Sequence, residues 1–295
     1  MSAVLLPTDL EPAADLPGLR HVLLWVQFDG TDFAGFQRQI AGIRTVAGEL
    51  EAGWLRRFGE VGIARSSSRT DSGVHARRMP VLFRTGIRNI PARGLMLALN
   101  SRLPPDLAVV EADDVPAEFD VRSDAVGKRY IYRITSGEAR LPLWRRSAWH
   151  VRGPLDLDAM REAAARFEGV HDFAAFRGAQ CVAKSTIRNL RCVEVGVEPL
   201  AGHALSPVVS LTVDGNAFLL NMVRIIAGTV TDVGRGRLNP DDVPRMLASR
   251  ERVAAGQTAP AHGLTLDDVF YGPAGARQGR DYKAMLANMA LARGA

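Results

Sequence analysis

The run Ser66-Ser67-Ser68-Arg69-Thr70-Asp71-Ser72-Gly73-Val74-His75-Ala76 packs a cation, hydroxyls, a carboxylate, a glycine and an imidazole into one short polar loop. Val61-Gly62-Ile63-Ala64 before it reads as a strand end, and Met79-Pro80-Val81-Leu82-Phe83 after it as another strand. Loops held by rigid strands are where catalytic groups concentrate. A carboxylate there stays ionised only beside solvent or a cation. Asp71 is therefore a candidate nucleophile or base, given a group that keeps it charged.

Arg224 is a candidate for that group. It lies in Phe218-Leu219-Leu220-Asn221-Met222-Val223-Arg224-Ile225-Ile226-Ala227-Gly228, a stretch apolar enough to be a helix buried on most sides. A guanidinium cannot shed its proton there, so its desolvation demands an anion. Pairing with Asp71 would satisfy both. Snorkelling to the surface, or pairing with a purely structural acid, is the alternative that the composition leaves open.

Tyr130 and Tyr132 alternate along Lys128-Arg129-Tyr130-Ile131-Tyr132-Arg133-Ile134 and so share one face of a strand. An aromatic on a sheet face can stack on an unpaired base, with Lys128 and Arg129 holding phosphate. The pattern alone favours a cross-strand aromatic pair in the core. His75 could move protons, but a hydrogen bond to neighbouring backbone is the preferred reading. His21, His150, His171, His203 and His262 show no ligand spacing, so no zinc site is readable. Gly234-Arg235-Gly236-Arg237 lacks the lysine and hydroxyl of a phosphate loop, and Gly234 reads as a helix cap. The dinucleotide-binding fingerprint is missing, and the serines have no nucleophile-elbow context.

These groups need elements to hold them. His21–Phe28 reads as a strand, followed by a turn at Asp29-Gly30-Thr31. Thr45 can cap a helix whose Val46, Leu50, Trp54 and Phe58 recur at helical spacing. A short helix is expected over Ile90–Leu99 and a strand over Ala108–Ala112. Asp156 can cap a helix bearing Leu157, Met160, Ala164 and Phe167 on one face. Strands at Leu190–Val197 and Val208–Val213 precede the apolar helix, expected over Phe218–Val233. A short helix from Asn239 to about Ser249 and a closing strand at Leu266–Phe270 complete the pattern. Each half mixes strands with a few helices in similar order, which predicts two α+β halves sharing one sheet. The expected organisation is a loose arm over 1–18, an α+β domain over 19–125, a second over 126–272 and a tail over 273–295.

With 295 residues, 47% hydrophobic and 23% charged, the chain has the composition of an ordinary soluble protein. Cys181 and Cys192 are too few and too far apart for a disulfide framework or a metal knuckle. No apolar run spans a bilayer and no basic leader opens the chain, so the cytoplasm is the expected location and no membrane partner is expected. A net charge of +5 suits a polyanionic partner. Only Lys128, Lys184 and Lys283 are lysines; the rest of the basic residues are arginines.

In order along the chain, these segments resemble the TruA family of tRNA pseudouridine synthases. Phe28-Asp29-Gly30-Thr31-Asp32-Phe33-Ala34-Gly35-Phe36-Gln37-Arg38-Gln39 is similar to its first segment, and Arg69–Ala76 to its catalytic motif. Lys128–Tyr132 is similar to its tyrosine motif, and Asp172, Phe173 and Phe176 to a further segment. Asn216–Arg224 is similar to its arginine motif, and Ala259-Pro260-Ala261-His262-Gly263-Leu264 to its C-terminal signature. The resemblance spans roughly His21 to Tyr271.

It implies two ferredoxin-like (RRM-like) halves, a central, mainly antiparallel sheet and an active-site cleft between the halves. It implies Asp71 as catalytic residue, Tyr130 rather than Tyr132 against the target base, Arg224 as the ionic partner of Asp71, and Arg69 as the residue that helps to flip the uridine. It further implies a cofactor-free, metal-free homodimer acting on tRNA, at uridines 38, 39 or 40 of the anticodon stem-loop. The sequence departs from the family where Ser68 replaces a usual glycine, Ser72 an alanine and Ala47 a common glutamine. Ala76-Arg77-Arg78-Met79-Pro80 also lacks the usual Gly-Gln pair. If the Ser68 site needs a backbone angle that only glycine tolerates, strain is expected there. A non-catalytic tRNA-binding protein needs the same basic surface without Asp71. A metal-dependent nuclease needs clustered carboxylates that the Asp71 motif lacks.

Overall fold

The structure, a computed structural model, describes residues 18–198 and 208–272. The expected tail, and all of the expected arm but Gly18, lie outside the described residues. The fold is mixed α+β, as the element pattern implies, with ten strands and five α-helices among the described residues. It divides into two compact units: one holds the described residues up to Val126 and from Asp268, the other Gly127–Asp267. Among the described residues no helix is long and apolar enough to cross a membrane.

In the first unit, β1 (Arg20–Phe28) lies between β3 (His75–Thr85) and β4 (Leu107–Val115), antiparallel to both, and the short β2 (Arg65–Ser66) pairs with β3. Val22 to Val26 are all apolar, and β1 is buried on both faces. Leu23 and Trp25 on one face form a cluster with Leu82 and Val121. Helix α1 (Val46–Phe58) begins where Thr45 Oγ1 accepts the Gly48 N–H at 3.2 Å, and it ends at Gly59, whose φ of 69° lets the chain turn left-handed. Its Leu50 and Trp54 are fully buried, and Trp54 stacks on Phe83 of β3 at 4.6 Å. Truncating Trp54 to alanine would cost about 3–5 kcal/mol. Helix α2 (Ala92–Asn100) follows β3.

The expected strand end at Val61–Ala64 is not a strand; pairing begins only at Arg65. Gly62 lies so close under the Phe83 and Trp54 rings that a Cβ would sit 2.7 Å from Phe83 Cδ1. Its backbone packs beneath Phe83 of β3 and Trp54 of α1.

In the second unit the strand order is β5–β9–β8–β7, all antiparallel, from β5 (Ala125–Ser136), β7 (Gly169–Asp172), β8 (Ile187–Glu198) and β9 (Val208–Gly215). The short β6 (Trp149–Val151) is parallel to β5. Neither β6 nor β7 was legible, since each is too short to show a period. Helix α3 (Leu157–Ala165) starts where Asp156 accepts the N–H groups of Asp158 and Ala159. It packs on α4 (Met222–Gly234), which is followed by α5 (Asp242–Ser249) and β10 (Leu264–Tyr271).

Three of the boundaries that differ from expectation have a local cause. The apolar helix begins at Met222, not Phe218, because Asn221 adopts a left-handed conformation (φ 60°) that breaks the helical path. The short helix begins at Asp242, where the side chain reaches back to accept the Asn239 N–H at 2.7 Å. Gly234 is not the cap: it is the last residue of α4, pressed so closely on α3 that a Cβ would sit 2.6 Å from Met160 Sδ. Gly236, at φ +69°, is the left-handed residue that ends the helix, its N–H bonded to Val233 O at 2.8 Å.

Candidate active site

Asp71 is half-buried in the bend that joins β2 to β3. The bend is held by the segment after β1, residues 29–37. Phe36 N donates to Thr70 O at 3.1 Å, Gly73 N to Phe33 O at 3.3 Å, and Gly30 N to His75 Nδ1 at 3.0 Å. Two glycines permit this approach. A Cβ on Gly30 would lie 2.0 Å from Val74 O, and one on Gly35 (φ +103°) 2.7 Å from Thr70 O. Within the bend, Val74 N bonds Asp71 O at 3.2 Å, and Gly73 (φ +79°) supplies the left-handed turn.

The clamping segment is itself anchored. Phe33 and Phe36 are buried, and the Arg44 guanidinium lies 4.1 Å over the Phe33 ring. Arg44 grips both oxygens of Asp106 at 2.8 Å and Glu49 at 3.2 Å. The hydrogen bonds from Arg44 hold the Asp106 carboxyl below its usual range.

His75 is buried, and its Nδ1 accepts a backbone N–H, as preferred from the sequence. Arg69 is exposed at the rim, its Nη1 donating to Gln37 Oε1 at 3.1 Å. Ser68 is not among the residues with positive φ, so the expected strain is not found. Its buried hydroxyl makes no hydrogen bond. Ser72 Oγ donates to Phe33 O at 3.2 Å, a further tie between loop and clamp that alanine could not make.

In the second unit, Tyr130 and Tyr132 share a face of β5, but their surroundings differ. Tyr132 is fully buried, its hydroxyl donates to Pro260 O at 2.8 Å, and burial pushes its pKa well above the usual phenol value. A Cβ on Gly263 would lie 2.5 Å from Tyr132 Cζ. Tyr130 retains slight exposure and meets the Phe218 ring edge-on at 5.1 Å. Arg129 is fixed to protein rather than held open for phosphate: its Nε and Nη2 each donate to Asp214 at 2.8 Å, and Arg191 adds a third bond at 3.0 Å.

Arg224 is half-buried near the start of α4. Its Nε donates to Ala259 O and its Nη1 to Asn221 Oδ1, both at 2.8 Å, while Ala259 N bonds back to Arg224 O at 3.1 Å. The segment Ala259–Gly263 therefore fixes Arg224 at one end and Tyr132 at the other. Sequence reasoning overlooked Asn221, although an asparagine beside a helix start is a signal for a left-handed residue. It also overlooked Asp214, which sits far along the chain from Arg129 and within a strand that carries no other acid.

Arg69 and Asp71 thus share one loop of the first unit, and Tyr130 and Arg224 lie in the second. Among the described residues no three His, Cys, Asp or Glu side chains gather as a metal site would require.

A family model described as tRNA pseudouridine synthase matches residues 24–124 and 163–272. The chain is 45% identical over 253 residues to the tRNA pseudouridine synthase A of Geotalea uraniireducens (strain Rf4), covering 86% of this chain and 100% of that protein. It is 44% identical to the protein of that name from Geobacter sulfurreducens (86% and 100% covered) and 44% identical to the one from Myxococcus xanthus (84% and 91% covered).

Proposed function

The chain belongs to the tRNA pseudouridine synthase family, and from that premise we propose that Asp71 is the carboxylate with which it isomerises uridine to pseudouridine, at position 38, 39 or 40 of the tRNA anticodon stem-loop. The reaction breaks the bond from N1 of the base to the sugar, turns the base and joins C5 to the same sugar carbon. The proton on C5 is lost and N1 gains one, so the change is redox-neutral. Addition of Asp71 to the base, attack on the sugar carbon and initiation of an elimination all require the carboxylate ionised.

A uridine stacked in a stem must be extruded before a side chain on a loop reaches it. Arg69, exposed two residues before Asp71, is suited to fill or open the gap. Tyr130 is the proposed stacking partner, worth about 1–3 kcal/mol against the lost stacking. Its hydroxyl is the candidate acceptor for the C5 proton. Tyr132 is less suited, because its hydroxyl is held by Pro260. Arg224 is the proposed ionic partner of Asp71, supported by the motif resemblance and by the two bonds that aim its guanidinium. The proposal includes two ferredoxin-like domains, 19–125 and 126–272, with the active-site cleft between them, and a cytoplasmic homodimer that uses no metal or cofactor.

The observation that carries the reading is the clamp of residues 29–37 on the Asp71 bend, with two glycines where a Cβ would collide with the carbonyls of the bend. A loop serving only to bind a flexible polyanion needs no such fixation. The test is tritium release from C5-labelled uridine in tRNA with chelator present, followed by mapping of the product. Release with pseudouridine at 38–40 is expected; binding without release would overturn the assignment.

A further inference from the structure

The first unit contains a pocket of about 350 Å³ whose walls include Phe36, Arg38, Glu51, Arg65, Arg69 and Arg122. Several arginines elsewhere among the described residues spend their guanidinium groups on protein carboxylates. Arg44 and Arg129 each make two bonds to one carboxylate, and Arg78 bridges Asp268 and Glu111. The pocket arginines do not. Arg65 makes no side-chain hydrogen bond among the described residues. Arg122 uses only Nε, on Ser66 O at 3.2 Å, and Arg69 only Nη1, on Gln37. A guanidinium has five N–H donors in a planar fork, so most of those lining the pocket are unengaged.

The acid among these wall residues does not neutralise them. Glu51 is buried, its Oε1 accepts the Ala64 N–H at 3.1 Å, and its Oε2 faces Arg38 at 3.4 Å. Both oxygens are turned to protein, which leaves Arg65, Arg69 and Arg122 with no counter-charge from it. The bond from Arg122 to Ser66 O pins its fork beside β2, immediately before the Asp71 bend.

We propose that this pocket seats a backbone phosphodiester of the RNA, with Arg65 and Arg122 as its main contacts. The bound phosphate sets the register of the RNA strand against the Asp71 bend. The inference rests on the tRNA reading above and adds to it a position for one phosphate. Planar forks suit phosphate oxygens, and such a contact orients nucleic acid without reading its sequence.

The test uses the full-length protein with Arg65→Gln, Arg122→Gln, the double variant and Arg65→Lys. Both side chains are exposed, and melting temperatures check that folding is unaffected. The tRNA dissociation constant is measured across a salt series, together with KM and the single-turnover rate at saturating tRNA. Each Gln variant should lower the slope of log affinity against log salt by about 1. The double variant should lower it no further, because both arginines hold the same phosphate. KM should rise while the single-turnover rate holds, and Arg65→Lys should restore most of the slope. Wild-type slope and KM in both Gln variants would overturn the proposal. So would a pocket that binds inorganic phosphate without altering the tRNA slope in either variant. Pseudouridine formation with unchanged slopes refutes this site alone. Altered slopes in a protein that forms no pseudouridine refute the catalytic reading and leave the site standing.

Discussion

The backbone N–H of Phe36 donates to the carbonyl of Thr70 at 3.1 Å, one residue before Asp71. Two segments that the sequence separates by more than thirty residues are thereby one structural unit. The first has its glycines where the second has its carbonyls: Gly30 faces Val74 O and Gly35 faces Thr70 O. The polar loop holding Asp71 is thus located by backbone bonds, with His75 and Ser72 adding side-chain ties to the same segment.

Gly35→Ala tests this clamp. The new Cβ would meet Thr70 O at 2.7 Å, and the φ of +103° is strained for any residue with a side chain. A loss of about 1–3 kcal/mol in denaturant unfolding is expected, with a larger proportional loss of turnover because the bend must shift. Unchanged kcat with the expected destabilisation would show that the clamp does not position Asp71.

The two tyrosines should separate stability from catalysis. Tyr132→Phe leaves the Pro260 carbonyl without its donor and should cost about 1–3 kcal/mol, with kcat largely kept. Tyr130→Phe should reduce turnover. The reverse pattern would assign the base contact to Tyr132.

Asp214→Asn removes the charge that holds Arg129 and Arg191. Asp214 is 3% exposed but Arg129 is 39% exposed, so the expected loss is roughly 2–4 kcal/mol, at or below the cost of breaking a fully buried pair. The denaturation midpoint reads it. A variant as stable as wild type would mean that solvent compensates both guanidiniums.

Two carboxylates give opposite pH dependence. Burial raises the Glu51 pKa above 4.5, so the folded state holds a proton that the unfolded state loses first. The stability contribution of protonated Glu51 is full below pH 4.5 and is lost as pH rises through the folded value. Arg44 lowers the Asp106 pKa below 3.8, so that contribution is present above pH 3.8 and is lost as pH falls through the folded value. In urea titrations, Glu51→Gln should gain on wild type as pH rises from 4.5 to 7. The deficit of Asp106→Asn should shrink as pH falls below 3.8. Differences that do not vary with pH would contradict both assignments.

Much of the fold was legible because its signals are local. Thr45 and Asp156 cap the helices expected of them, and the alternation around Tyr130 marks a strand. What escaped was set by distant packing. Gly62 looked like strand backbone but lies under Trp54, and Gly234 looked like a cap but abuts Met160. At the candidate site, the residue types of the Asp71 loop pointed to its chemistry. The clamp at Gly30 and Gly35, the bidentate hold on Arg129 and the Asn221 support of Arg224 required coordinates. The first two depend on partners that no sequence window contains, whereas Asn221 lies three residues before Arg224 and its left-handed conformation was the signal left unread.

The central claim is that Asp71 performs the isomerisation. Asp71→Asn keeps the shape of the side chain and removes its charge, so it separates catalysis from binding. Tritium release from C5-labelled uridine in tRNA should fall to background in this variant, while tRNA affinity and its salt dependence match wild type. Release at a rate near that of wild type would contradict the account.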